Sequence, residues 1–298
     1  MVMKRALQLL AVLVIAGVGG VVAIGLSDWP AGYALRYGLW WLGGHGQERD
    51  YVSADGAHLH YAEAGSGPPL LLLHGGGSNR DAFFGQLPFL ARHFHVYALD
   101  SRGHGRSEHG NGMLSYERYA EDVYALLRQR HIPRAALVGW SDGGNTGLVL
   151  AVAHPESVCR MVVISANYNP SGIRRNPHAP PPTPHEWTSE LVRNLYHLLP
   201  LPEHVKSPGN VELKQLWASG PNLTPGDLHQ IKAQVLVVGG EYDLIGRDHL
   251  RATQQAIPGA RLKIFPHVGH NLMQDVPDKM NQALRNFLLD PDGKPRSC

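Results

Sequence analysis

Six short, mainly apolar runs, at residues 70–73, 96–99, 135–138, 161–164, 235–238 and 262–265, recur through the chain. A strand that is apolar on consecutive positions has no face to turn to water, so it must be covered on both sides. Helical stretches lie between the runs. In the best of them, residues 116–130, Tyr119, Val123, Leu126 and Leu127 share one face. Strands alternating with helices predict an α/β fold, a mostly parallel central sheet flanked by helices. Ahead of it, residues 51–54 and 57–62, joined through Asp55-Gly56, predict a β-hairpin whose turn needs φ > 0.

One segment breaks this rhythm. Residues 167–230 hold 11 of the 22 prolines, with helical candidates at 186–199 and 211–219 and the large side chains Trp187 and Trp217. An insertion of that size between two sheet strands is read as a helical cap over the strand ends. The expected organisation is an N-terminal segment over 1–29, a linker over 30–49, a core from 50–166 and 231–290, and a cap over 167–230.

The chemistry is concentrated at the ends of the apolar runs. Gly139-Trp140-Ser141-Asp142-Gly143 follows one of them and opens a helical stretch at 145–153. A G-x-S-x-G in a strand–turn–helix setting projects its serine from a sharp turn, and the flanking glycines permit the close approach. Serine needs a base, and the base needs an orienting carboxylate. Asp243 follows the run at 235–238 and His270 the run at 262–265, each at a strand's carboxyl end, where such sheets bind ligands. Glu241 is the rival acid and His267 the rival base; Asp243 and His270 are preferred because they sit deeper in their loops. For the oxyanion, the candidate donors are the backbone N–H of Asp142 and that of Gly76 in His74-Gly75-Gly76-Gly77, with His74 supporting the loop.

Other features point to no second chemistry. Lys plus Arg number 27 and Asp plus Glu 25, a balance that gives no field for polyanions, so no nucleic-acid partner is expected. The eighteen histidines include the pairs His58/His60 and His93/His95, but no third ligand is evident, so no metal site is expected. No cofactor is required. The Asp142 side chain is expected to be solvated, and Arg102 and Arg106 to brace the loop after Asp100. Cys159 is expected to be buried and Cys298, the last residue, to stay unpaired with it.

At the N-terminus, Lys4 and Arg5 precede residues 6–26, in which Gln8 is the one polar side chain. At 1.5 Å per residue this run spans about 30 Å, the hydrocarbon thickness of a bilayer. The expectation is an uncleaved single-pass membrane anchor, oriented by the flanking cations, with the catalytic domain outside the cytoplasm and a lipid-like ester within reach. The alternative is a cleaved signal leaving a secreted or periplasmic protein. Tyr33, Tyr37, Trp40 and Trp41 then suit either a membrane interface or packing against the domain.

Taken together, residues 51–289 resemble the α/β-hydrolase superfamily. Besides the turn around Ser141, the resemblance rests on Asp100-Ser101-Arg102-Gly103-His104-Gly105-Arg106-Ser107, similar to a D-x-R-G-x-G-x-S loop, and on the loops that carry Asp243 and His270. The Gly-Trp-Ser-Asp-Gly-Gly wording is similar to valacyclovir-hydrolase-like esterases, and the capped layout to carbon–carbon-bond hydrolases. Ser141 argues against the branches that carry aspartate there, the haloalkane dehalogenases and most epoxide hydrolases. The resemblance implies an α/β-hydrolase fold and a serine hydrolase acting on a small-molecule ester or related acyl bond. The alternative is a non-catalytic ligand receptor on the same fold.

Overall fold

The structure, a computed structural model, is described over residues 30–174 and 207–298. Helix α1 (Pro30–Leu42) leads into β1 (Gly46–Val52) and β2 (His58–Ala64). Then follow β3 (Pro69–Leu73), α2 (Leu87–Leu90), β4 (His95–Leu99), α3 (Tyr116–Gln129), β5 (Ala135–Trp140), α4 (Asp142–Ala153) and β6 (Val158–Ile164). After them come α5 (Asn210–Ser219), α6 (Pro225–Leu228), β7 (Gln234–Gly240), α7 (Arg247–Ala256), β8 (Arg261–Phe265), α8 (Leu272–Asp275) and α9 (Pro277–Leu288).

The strands form one sheet in the order β1-β2-β4-β3-β5-β6-β7-β8. β1 and β2 pair antiparallel, β2 meets β4 antiparallel, and every pair from β4 to β8 is parallel. This is the α/β-hydrolase fold. Side chains alternate across the pleat, so the continuous apolar runs feed two layers. Leu71 and Leu73 pack in one layer with Tyr119, Val123 and Leu126 of α3, and Leu70 and Leu72 pack in the other with Leu284 and Phe287 of α9. Helix α3 starts where Ser115 accepts the Arg118 N–H at 3.2 Å, and its apolar stripe does the rest. The chain passes from β3 to β4 on one side and then to β5 on the other, so a crevice opens where the loops after β3 and β5 part.

Three expectations need correction here. The first hairpin strand begins at Gly46, because Gln47, Glu48, Arg49 and Asp50 lie exposed on a sheet edge and carry no apolar signal. Cys159 and Cys298 are joined in a disulfide, with Cα atoms 5.0 Å apart. After α9 the chain turns at Asp290–Gly293, and Arg296 N–H donates to Leu288 O at 2.9 Å, which brings the last residue back to β6.

The membrane reading is also corrected. Among the described residues no helix is long and apolar enough to cross a membrane. Residues 6–26, on which the anchor rested, lie outside them. Nothing in the described residues supports the anchor, the cleaved-signal alternative or the locations drawn from either. Of the two settings left open for the aromatics of 30–49, the structure shows packing against the domain. Tyr37 is buried and donates to Asp81 at 2.7 Å, and the Arg80 guanidinium lies 5.7 Å from the Trp41 ring centre.

Candidate active site

Ser141 sits between β5 and α4 with φ 52° and ψ −119°, a left-handed backbone that costs a non-glycine residue about 1–3 kcal/mol. Packing holds it there. A Cβ at Gly139 would lie 2.4 Å from Gly143 O, and one at Gly143 would lie 2.0 Å from Leu73 O. Only glycine at both flanks lets the turn close, and the Ser141 N–H then reaches Ile164 O at 2.8 Å. The predicted helix starts at Asp142, directly after this turn, rather than at Asn145.

The structure brings Ser141, His270 and Asp243 into one line. Ser141 Oγ–H donates to His270 Nε2 at 3.0 Å, and His270 Nδ1–H donates to Asp243 Oδ1 at 2.7 Å. Asp243 is fully buried, and the Gly240 and Ile245 N–H groups each donate to it at 3.1 Å. The rivals lie elsewhere: the His267 side chain is 81% exposed, and the His267 backbone N–H donates to Glu241 Oε2 at 2.9 Å. Each rival is taken up by the other.

Two further side chains hold this line. Ser165, fully buried at the carboxyl end of β6, donates its hydroxyl to Asp243 Oδ2 at 2.5 Å. Trp140 Nε1–H donates to His270 O at 3.0 Å, fixing the backbone that carries the imidazole. Sequence reasoning missed both. The one signal for Ser165 was its place at a strand's carboxyl end.

The Gly76 loop lies against the turn at Ser141: a Cβ at Gly76 would come within 2.2 Å of Asp142 Oδ2. Two neutral histidines shape it. His74 Nδ1–H donates to Gly75 O at 2.8 Å while Nε2 accepts the Ser101 N–H at 2.9 Å. His104 Nε2 accepts the Gly77 N–H at 3.1 Å. Burial pushes both imidazoles down, His74 to about 4 and His104 to about 3, so both stay uncharged acceptors at neutral pH.

The Asp142 side chain is buried, not solvated as expected. Its carboxylate accepts from Tyr116 OH at 2.8 Å and from Trp217 Nε1–H at 3.0 and 3.1 Å. The sequence could not show that α5 closes over it. Burial raises its pKa, and the Trp217 and Tyr116 donors oppose that rise. Arg102 does brace its loop, through Asp122 at 2.6 and 2.9 Å and Asp55 at 2.9 and 3.0 Å. Arg106 reaches Glu48 of the edge strand.

The alpha/beta hydrolase family matches residues 70–283. Mouse serine hydrolase BPHL is 30% identical over 249 residues, covering 80% of this chain and 85% of that protein. A 2-hydroxy-6-oxo-6-phenylhexa-2,4-dienoate hydrolase from Comamonas testosteroni is 27% identical, covering 77% of this chain and 91% of that protein. Among solved structures, Est816, described as an N-acyl homoserine lactone degrading enzyme, superposes with a TM-score of 0.67 at 26% identity, over 80% of this chain and all of that one. A family match across most of the chain, with hydrolases as relatives, sets the receptor reading aside: the chain belongs to the alpha/beta hydrolase family and is an enzyme of that type.

Proposed function

We propose that this enzyme is a serine hydrolase that cleaves a carboxylic ester or related acyl bond through an acyl-enzyme. The observation that carries this reading is the unbroken line of hydrogen bonds from Ser141 through His270 to buried Asp243, starting at a strained turn. Ser141 Oγ attacks the carbonyl carbon while His270 Nε2 takes its proton. Asp243 orients the imidazole and stabilises the imidazolium that forms. The oxyanion is received by the Gly76 and Asp142 amides. His270 then returns the proton to the leaving alcohol, and water, deprotonated by the same nitrogen, releases the acid and restores Ser141.

One comparison favours an oxygen ester over a carbon–carbon bond: Est816 is described as degrading an N-acyl homoserine lactone, a molecule that contains a cyclic ester. The pocket wall is read as a cap over 167–230, supported by α5. Trp217 would stand 3.3 Å from a Cβ at Gly76, and Leu213 3.6 Å from one at Gly77. Residues 175–206, including Trp187, lie outside the described residues.

The test is a panel of p-nitrophenyl esters beside a fluorophosphonate probe. Sustained turnover with labelling at Ser141 is expected, and Ser141→Ala should lose labelling and about 10³-fold or more in kcat while staying folded. Labelling without turnover on any ester or lactone would overturn the ester assignment.

A further inference from the structure

Away from Ser141, a cavity of about 490 Å³ lies between α1, the segment from Phe84 to Arg92 and α9. None of Ser141, Asp243, His270, Gly76 or Asp142 lines it. Its volume falls within the roughly 300–1,000 Å³ of small-molecule sites. Trp40, Phe84 and Phe89 supply apolar walls; Arg36, which lies over the Tyr33 ring, and Arg92 and Arg285 supply charge. The Arg285 guanidinium lies 5.2 Å from the Phe89 ring centre, which keeps it on the rim of the cavity.

The charge is not neutralised locally. Neither Arg92 nor Arg285 has a carboxylate partner among the described residues, whereas Asp278, the carboxylate in the lining, accepts the Tyr33 hydroxyl. The same two cations help press His93 down, behind the larger effect of its burial. In the wall, Asn281 Nδ2–H donates to Gly85 O at 2.9 Å.

We propose that this cavity is a second binding site, for an amphiphilic organic anion with an apolar body against Trp40, Phe84 and Phe89 and an anionic end at Arg92 and Arg285. Neither feature alone selects this ligand. Apolar walls would accept any hydrophobe, and two exposed arginines any anion; together they require both properties in one molecule.

The test uses 8-anilinonaphthalene-1-sulfonate and N-phenyl-1-naphthylamine, the same rings without the sulfonate. Both are titrated by fluorescence into the full chain after phosphonylation of Ser141, so the catalytic pocket is blocked. The sulfonate should bind about tenfold or more tighter than the neutral probe, and dodecanoate should displace it. Arg92→Ala with Arg285→Ala should abolish that difference and leave p-nitrophenyl ester turnover unchanged. Trp40→Leu should weaken both probes alike. Equal affinity for the two probes, sulfonate binding unchanged in the double variant, or sulfonate binding lost on phosphonylation would each overturn the proposal.

Discussion

Ser165→Ala tests how the acid is held. The variant keeps the backbone, since alanine accepts φ 52° as readily as serine does. It removes one oxygen, whose hydroxyl donates to Asp243 Oδ2 at 2.5 Å inside a fully buried site. Oδ2 then keeps the Gly240 N–H at 3.1 Å. A hydrogen bond to a charged group contributes about 1.5–3 kcal/mol. In a domain of this size that is a fall in Tm of about 3–12 °C. If the carboxylate also swings from His270, each 1.36 kcal/mol lost from the transition state is about tenfold in rate. The expected outcome is a lower Tm by circular dichroism and a kcat for p-nitrophenyl acetate reduced about tenfold, with KM little changed. A Tm within 1 °C of the parent and kcat within twofold, on the scale of these estimates, would refute the reasoning.

Trp217→Ala should alter relative kcat/KM among acyl chain lengths more than it alters fluorophosphonate labelling, because Trp217 faces both Gly76 and Asp142; equal losses on every ester would mark it as structural only. Arg102→Met should cost about 3–5 kcal/mol in urea unfolding, since it leaves the buried Asp122 carboxylate unpaired. Hydrogen bonds from Arg102, then Ser53, hold Asp55 well below the usual carboxylate range. The folded value thus lies under the unfolded one of about 3.9, so the Asp55 contribution is present above that pH and lost as pH falls through the folded value. Arg102→Met should flatten that loss on the acid side of the stability profile. Cys298→Ser should lower Tm and make it insensitive to reductant; closing a 139-residue span gives at most about 5 kcal/mol by chain entropy. Two free thiols in the unreduced, unfolded protein would contradict the pairing.

The parallel part of the fold was legible because its strands are buried on both faces and write their burial as unbroken apolar runs. The runs at 135–138 and 161–164 became β5 and β6, longer by a few residues at their ends. β1 was not legible over residues 46–50, where edge residues face water and have no reason to be apolar. Ser141, Asp243 and His270 could be singled out because each follows a run, and strand ends in such a sheet converge. Side-chain partnerships across distant loops left no such trace. Beyond its place after β6, Ser165 is marked out by its bond to Asp243, 78 residues away. Asp142 looked solvated because its cover comes from α5, 75 residues further on. The disulfide was invisible for the same reason: the turn that returns Cys298 to β6 is made by hydrogen bonds around Asp290 and Gly293, not by a repeat or a spacing.

The order of the catalytic line along the chain has a consequence for biosynthesis. Ser141 precedes His270 by 129 residues, and Asp243 precedes it by 27. At about 5–20 residues per second, the ribosome needs roughly 6–26 s to add the base after the nucleophile has been made. On the proposed mechanism, the serine has no partner to take its proton during that interval, and reactivity arrives only once β8 has docked and the loop behind it has set His270 beside Ser141.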